Sequence, residues 1–272
     1  MSAWFRERAP RAPIALTCAL VAIGAAAPAL ADPAPASFDA AHYRAVLEQV
    51  AAHRGELAVR YAAARGARAR AAIRDEARRF VVSTLVSQIF PAWMGMPSGG
   101  GREATASLPH EPGMYISCSY FLTAALQNVG LVLESRTRFA QAPASWIEHA
   151  LLPPGGQIYR YGNLSGVELE QRLVGLGDGL YVMGLNIHVG FIVVHNGHAR
   201  FVHSSYTPPG TVVDEPVVSS EAIALSRSKG YWVSPLFKDD RIVEMWLRRQ
   251  PVPAPPPWRP GVDHWSAAPG SS

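Results

Sequence analysis

Cysteine is scarce in this sequence, with two residues among 272. Cys18 lies in an N-terminal apolar stretch that we expect to be removed, which leaves Cys118 alone in the mature chain. A chain with a single cysteine forms no internal disulfide. In an exported protein such an odd thiol is either reactive or paired with another molecule. The lack of a disulfide framework therefore directs attention to the chemistry of Cys118.

Long apolar runs are absent after the first 31 residues. Residues 1–31 resemble a secretory signal, with a basic start, an apolar segment over residues 14–27 and the small-x-small pattern Ala29-Leu30-Ala31. No later segment approaches the roughly 20 apolar residues that a membrane helix needs. We expect cleavage before Asp32, no transmembrane segment in the mature chain, and a periplasmic or secreted location. A retained N-terminal anchor is the alternative.

A strong charge of one sign is also missing. The net charge is +4, and residues 1–31 carry three arginines against one glutamate, which leaves about +2 for the mature chain. This is too weak to favour a nucleic-acid partner. A local arginine run is interpreted as a solvated helix face, with contact to an anionic wall polymer or lipid headgroups as the alternative. Its members are Arg60, Arg65, Arg68, Arg70, Arg74, Arg78 and Arg79.

Proline and glycine divide the mature chain into three parts. Residues 32–90 form a helical N-terminal region, since no proline occurs from Asp39 to Phe90 and apolar residues recur at helical spacing. We expect two or three helices ending before Pro91. Residues 91–249 form the main domain. Residues 250–272 are proline-rich and are predicted to be a disordered tail outside the core.

The main domain has the pattern of an α+β fold. A helix over 118–129 should stop at Gly130, and a shorter one is expected near 167–173. After Gly179 the composition favours antiparallel strands rather than an alternating parallel fold. The strands are predicted at residues 180–185, 189–194, 200–202, 231–233 and 242–247.

The predicted position of Cys118 is the first turn of its helix. Ser117 is a good N-cap residue, and Ser119 follows the cysteine. The unpaired N–H groups and the positive end of the helix dipole favour a thiolate, and the same N–H groups could hold an oxyanion. Cys118 also begins the apolar stripe of the helix, so a small buried structural residue is the alternative.

A hairpin is predicted around Asn196-Gly197, which is a strong signal for a two-residue type I′ turn. This turn pairs His195 with His198 and Gly190 with His203. The absent side chain of Gly190 leaves room for an imidazole.

Strand geometry divides the four histidines of the hairpin into two pairs on opposite faces. His195 and His198 lie at the turn and are expected to be solvated. His188 and His203 share the apolar face as diagonal neighbours, within side-chain reach of each other. This split argues against a metal site, which stays the last choice. It favours a thiol–imidazole pair in which a third polar group orients the imidazole.

The residues of the two segments resemble a known family. A cysteine opening a helix, the strand His188-Val189-Gly190-Phe191-Ile192-Val193 and the segment Phe201-Val202-His203-Ser204-Ser205 are similar to NlpC-type papain-like cell-wall peptidases, over residues 113–206. The resemblance implies a papain-like core in which the nucleophile helix packs on an antiparallel sheet. It also implies Cys118 as nucleophile, His188 as general base and acid, and His203 as the group that orients His188.

The sequence departs from the family around the nucleophile. The family usually has Asp-Cys-Ser-Gly, whereas this chain reads Ser117-Cys118-Ser119-Tyr120, so the aspartate that helps receive the peptide stem is missing. The tyrosine about a dozen residues upstream and the usual wall-binding repeats are also absent. The catalytic residues look shared, while the substrate pocket differs.

These observations predict a periplasmic or secreted thiol hydrolase that needs no cofactor. The expected bond is an amide, most simply in peptidoglycan stem peptides. Ser117 and Ser119 flank the nucleophile and the expected oxyanion position. Two alternatives stay open. One is a thiol-dependent lipid or acyl esterase or acyltransferase on the same fold, and the other is a non-catalytic envelope-binding module. The oligomeric state is left open.

Overall fold

The computed structural model describes residues 38–99 and 105–257. The predicted signal (1–31) and residues 258–272 of the tail lie outside them. The described chain is α+β, with a helical N-terminal region followed by a mixed domain, as predicted. The helices are α1 (Ala40–Ala63), α2 (Ala67–Thr84), α3 (Phe90–Trp93), α4 (Cys118–Asn128), α5 (Arg136–Gln141), α6 (Ala144–Leu151), α7 (Gly166–Val174), α8 (Glu221–Ser226) and α9 (Asp240–Arg248). Among the described helices, none combines the length and apolar character needed to cross a bilayer.

The six strands form one antiparallel sheet in the order β1-β6-β2-β3-β4-β5. They are β1 (Tyr159–Tyr161), β2 (Gly179–Gly184), β3 (Val189–His195), β4 (His198–Ser204), β5 (Val212–Pro216) and β6 (Tyr231–Leu236). The predictions near β2, β3, β4 and β6 are confirmed. The two edge strands were not predicted. β1 has only three residues, and β5 contains aspartate, glutamate and proline, which are uncommon in strands.

The strand predicted at 242–247 is wrong, because these residues belong to helix α9. The buried residues Ile242, Val243, Trp246 and Leu247 recur at helical spacing. Asp239 caps the helix by accepting a hydrogen bond from the backbone N–H of Ile242 at 3.2 Å. The β-branched residues at its start favoured a strand, but the apolar stripe against the core decides for a helix.

The N-terminal helices also continue further than predicted. Gly66, at φ +88°, separates α1 from α2, while Gly55 lies inside α1. A π-helical turn over Leu85–Ile89 then leads into α3, which contains Pro91. Proline fits there because the first turn of a helix needs no N–H donor at that position.

Part of the arginine run has a structural role. Arg74 of α2 forms ion pairs with Asp240 at 2.9 Å and Glu244 at 3.2 Å, both on α9. Arg60 of α1 pairs with Glu76 of α2 at 2.7 Å. These contacts join three helices, so the prediction of a merely solvated face does not describe them.

Both faces of the sheet are covered. Helix α4 and the N-terminal helices lie on the face that carries Val189 and Phe191, where the rings of Phe121 and Phe191 meet edge to face at 5.9 Å. Helices α7 and α8 cover the opposite face, which carries Ile192 and Phe201. The start of α4 therefore lies beside the first residues of β3.

The beginning of the proline-rich tail belongs to the core, contrary to the prediction for 250–272. Val252 is fully buried, its N–H donates to the Val132 carbonyl at 2.8 Å, and its carbonyl accepts from Glu134 at 3.0 Å. Arg138 donates to the Pro255 carbonyl at 2.7 Å. Proline leaves carbonyls free to accept, so an extended proline-rich segment can still be held by its neighbours.

The hairpin register is confirmed. His195 pairs with His198 and Val193 with Arg200, across a turn in which Asn196 and Gly197 have φ of 51° and 78°. A Cβ built on Gly190 would lie 2.7 Å from the His203 Cβ and 2.9 Å from the Val202 carbonyl oxygen. The predicted space for an imidazole is thus provided by the glycine.

Gly190→Ala should lower the free energy of unfolding by about 1–3 kcal/mol, because the methyl group overpacks the strand pair. The matched control is Gly55→Ala, where a Cβ meets nothing within 4 Å. There we expect a gain of about 0.5–1 kcal/mol from helix propensity. Urea denaturation measures both, and equal stability of the Gly190 variant and wild type would contradict the close approach.

Candidate active site

Cys118 is the first residue of α4 and is half-buried. Ser117 occupies the N-cap position, but its side chain makes no capping hydrogen bond. The Ser119 hydroxyl donates to the Ala140 carbonyl at 2.6 Å and so ties the start of α4 to α5. The same hydroxyl also lies within hydrogen-bonding reach of the Cys118 sulfur, where it favours the thiolate.

The resting thiol is not the thiolate that the helix start alone predicts. Burial raises the pKa of Cys118 above its usual value. The backbone N–H groups of Val189, Ser119 and Cys118 and the Ser119 hydroxyl act in the opposite direction, but they do not outweigh burial. The start of the helix lowers the pKa of Cys118 as predicted, but desolvation raises it by more.

His188 and His203 meet as predicted. The His188 Nε2 lies 2.7 Å from the His203 Nδ1, and both residues are buried. His188 precedes β3 by one residue, where its carbonyl accepts a hydrogen bond from the Leu185 N–H at 2.7 Å. Since it lies off the end of the strand, its ring can share a cleft with the start of α4, which covers the other face of the sheet.

Glu215 extends this pair and was not predicted. Its Oε1 lies 3.1 Å from the His203 Nε2. Burial raises the pKa of Glu215, but hydrogen bonds from His203 and Ser220 outweigh it, so the pKa is below the usual value and the group is a carboxylate. The available signal was the turn Pro208-Pro209-Gly210, which could have indicated a third strand after β4.

The three side chains determine where the protons lie. A carboxylate only accepts, so Glu215 receives the Nε2–H of His203. A neutral His203 then has an unprotonated Nδ1, which accepts the Nε2–H of His188. The remaining nitrogen of His188, Nδ1, is left with a free lone pair. The relay therefore presents a base rather than a donor at this atom.

His188 rests as a neutral imidazole. Burial lowers the pKa of His188 well below its usual value, and the positive charge on His203, when present, lowers it further. Because burial also raises the pKa of Cys118, both effects favour a neutral thiol beside a neutral imidazole. The pair is suited to general-base proton transfer during attack rather than to a standing ion pair.

Two cavities meet at Cys118, Ile187 and His188, with volumes of about 250 and 340 Å³. The first is also lined by Ser119, Gln141, Ala142, Pro143, Ala144, Leu185, Asn186 and Val189. The second is also lined by Ser98, Gly99, Ser117, Ser204, Ser205, Tyr206 and Gly210. A chain that lies across the site would therefore find room on both sides of the thiol.

Tyr206 is a further residue that the sequence did not indicate. Its ring meets the His188 ring edge to face at a centroid distance of 5.0 Å. Burial raises the pKa of Tyr206, and the nearby Cys118 adds to that effect when it is charged. Tyr206 lies two residues after the end of β4, so its position depends on the same strand as His203.

The other histidines of the hairpin are solvated, as predicted. The side chains of His195 and His198 are 73% and 80% exposed. Across residues 38–99 and 105–257, no three histidine, cysteine or acidic side chains are grouped in a way that could hold a metal ion.

Comparisons with known proteins add no relative to these observations. No protein-family model matches the chain, and neither the curated proteins nor the solved structures contain a significant match.

The stability of the protein should fall in acid partly because of His188. The unfolded chain takes up a proton near pH 6.5, whereas the folded chain resists it, so protonation favours unfolding. Below pH 6.5 this group alone contributes a loss of up to about 1.4 kcal/mol per pH unit. We expect His188→Gln to remove that component in urea denaturation at pH 7.5, 6 and 5. The exposed control His195→Gln should keep the wild-type slope, and an unchanged slope in the His188 variant would contradict the assignment.

Proposed function

We propose that this chain is a thiol hydrolase that cleaves an amide bond, with peptidoglycan stem peptides as the expected substrate in the periplasm. The observation that carries the proposal is the relay from the buried His188 and His203 to the half-buried Glu215, which leaves the His188 Nδ1 with a free lone pair, beside a cleft that His188 and Cys118 both line. A structural cysteine needs no such relay. The α4 helix on the antiparallel sheet is also compatible with the papain-like core that the resemblance implies.

The proposed reaction begins with attack of the Cys118 sulfur on the amide carbonyl. The thiol proton moves to the His188 Nδ1 as the carbon–sulfur bond forms. His188 then gives this proton to the leaving amine, and a thioester stays on the cysteine. Water attacks the thioester with His188 again as base, which releases the acid and restores the thiol. Each proton taken by His188 is returned within the cycle.

The relay stabilises the charge that His188 acquires. When the His188 imidazole becomes an imidazolium, its Nε2–H donates to His203. His203 in turn contacts the negative charge of Glu215. This is the arrangement in which a carboxylate orients a catalytic histidine, with His203 inserted between them. The N–H groups in the first turn of α4 are available for the developing oxyanion, since they have no partners within the helix.

Three observations favour the alternatives. No aspartate directly precedes Cys118, and the described residues that line the two cavities include no aspartate, glutamate, lysine or arginine. Both features favour a thiol esterase or acyltransferase. The raised thiol pKa favours a non-catalytic envelope-binding module. Ester turnover above amide turnover would support the first alternative, and no turnover of either bond would support the second.

Cys118→Ala should abolish hydrolysis of purified sacculi and of model peptide amides, because the nucleophile is removed. His188→Ala should reduce it by at least about a hundredfold, since general-base catalysis is lost. His195→Ala is the matched control, an exposed histidine at the far end of β3, and should keep wild-type activity. Product release is followed by chromatography, and wild-type activity of the Cys118 variant would refute the proposal.

Glu215→Gln should lower kcat by at least about tenfold, because an amide can donate to His203 and so reverse the tautomers along the relay. KM should change little, since Glu215 lines neither cavity. The neighbouring Asp214→Asn is the control, because Asp214 pairs with Arg200 at 2.7 Å instead. Steady-state kinetics distinguish the two, and equal effects of both variants would argue against the relay.

A further inference from the structure

The first cavity at Cys118, which we call the α5–α6 cavity, is uncharged. It is bounded by residues 141–144 between α5 and α6 and by residues 185–189 between β2 and β3. Among the described residues that line it, none is aspartate, glutamate, lysine or arginine. Its titratable members are Cys118 and His188, and burial holds both in their neutral forms. A charged group that enters this cavity therefore finds no opposite charge on its walls.

A carboxyl group behind the wall does not change this. Glu148 of α6 is fully buried, and its Oε1 would lie 2.9 Å from a Cβ on Gly184 of β2. Burial raises the pKa of Glu148 to about 8, so the group is mostly protonated at neutral pH. In this protonated form it neither repels an anion nor attracts a cation in the cavity.

The apolar character continues at the rim. Ile187 lies between the two cavities with 73% of its side chain surface exposed. Ala142, Pro143, Ala144 and Leu185 supply most of the rest of the α5–α6 wall. The other polar side chains of the wall are the neutral amides of Gln141 and Asn186 and the hydroxyl of Ser119. Such walls bind small apolar groups and can accept neutral hydrogen bonds.

The desolvation of a charge determines the selectivity. A carboxylate or ammonium that leaves water for this cavity loses hydration, and no ion pair replaces it. A neutral aliphatic group instead gains from the burial of apolar surface. The volume of about 250 Å³ lies below the range typical of pockets for drug-sized ligands, so a side-chain-sized group fits better than a long acyl chain.

We propose that the α5–α6 cavity is the specificity pocket of the enzyme and accepts a short, uncharged side chain next to the scissile carbonyl. This inference rests on the proposed thiol hydrolase and narrows its substrate class. Among stem-peptide bonds, it selects those whose acyl residue is alanine-like or amidated over those that carry a free carboxylate or amine at this position.

Peptidyl chloromethylketones test the pocket without a known substrate. The reagents are acetyl-Ala-X-chloromethylketones in which X is norleucine, glutamate or lysine, with a decanoyl chloromethylketone as the long acyl chain. The Cys118 sulfur displaces chloride, a carbon–sulfur bond forms, and the thiol proton passes to His188. Mass spectrometry of Cys118 over time gives the second-order rate constant for each reagent with the full-length protein.

We expect the norleucine reagent to label Cys118 at least about tenfold faster than the glutamate, lysine and decanoyl reagents. An unpaired charge or an oversized group is disfavoured in a small neutral pocket. Equal or faster labelling by either charged peptide would overturn the charge selectivity. Faster labelling by the decanoyl reagent would overturn the size limit. If no reagent labels Cys118, the thiol is not reactive and the proposed function itself fails.

A pair of isosteric variants tests whether the α5–α6 cavity determines the charge selectivity of labelling. Gln141→Glu places a carboxylate on the α5–α6 rim, and it should raise the ratio of lysine to norleucine labelling about fivefold or more. Gln127→Glu is the control. It makes the same charge change on α4, nine residues and about 14 Å along the helix from Cys118, and should leave the ratio unchanged. The same ratio in wild type and Gln141→Glu would show that another part of the site receives the side chain, against the proposal.

Discussion

The contact on which the site depends is the hydrogen bond between His188 and His203, 2.7 Å long and buried. A buried imidazole is costly when a ring nitrogen lacks a partner, so each ring must find one. The carboxylate of Glu215 ends the relay and thereby fixes which nitrogen of each ring carries a proton. Gly190 makes the arrangement possible, since any larger residue would collide with His203. The geometry of one hairpin and one edge strand thus determines the basic atom in the cleft.

Burial gives the site its electrostatic character. It raises the pKa of the Cys118 thiol and lowers that of the His188 imidazole, so the resting pair carries no charge. In the proposed reaction, the proton moves at the moment of attack, and the charge that develops on His188 is compensated through His203 by Glu215. The same absence of charge extends into the α5–α6 cavity. Mechanism and proposed specificity therefore share one physical cause, the low polarity around the thiol.

The N-terminal helices hold this arrangement together at a distance. Ion pairs from Arg74 join α2 to α9, and the Trp246 indole of α9 donates to the Val129 carbonyl at the end of α4 at 2.7 Å. The start of α4 is held by the hydrogen bond from Ser119 to α5. Both ends of α4 are consequently fixed by residues outside the helix. The helical N-terminal region shares one hydrophobic core with the sheet, although its composition differs from that of the main domain.

Local signals in the sequence determined much of the fold around the site. The Asn196-Gly197 turn gives the β3–β4 register, Ser117 and Gly130 bracket α4, and the alternation of side chains brings His188 to His203, because turns and caps depend on residues close together in the chain. Other features depend on distant contacts. Glu215 joins the relay through an edge strand of unfavourable composition, α9 is a helix because of the core it covers, and Val252 is buried by a strand-like pairing with Leu133. The charge state of Cys118 belongs to this second group, since burial is a property of the folded chain and outweighs the helix end beside it.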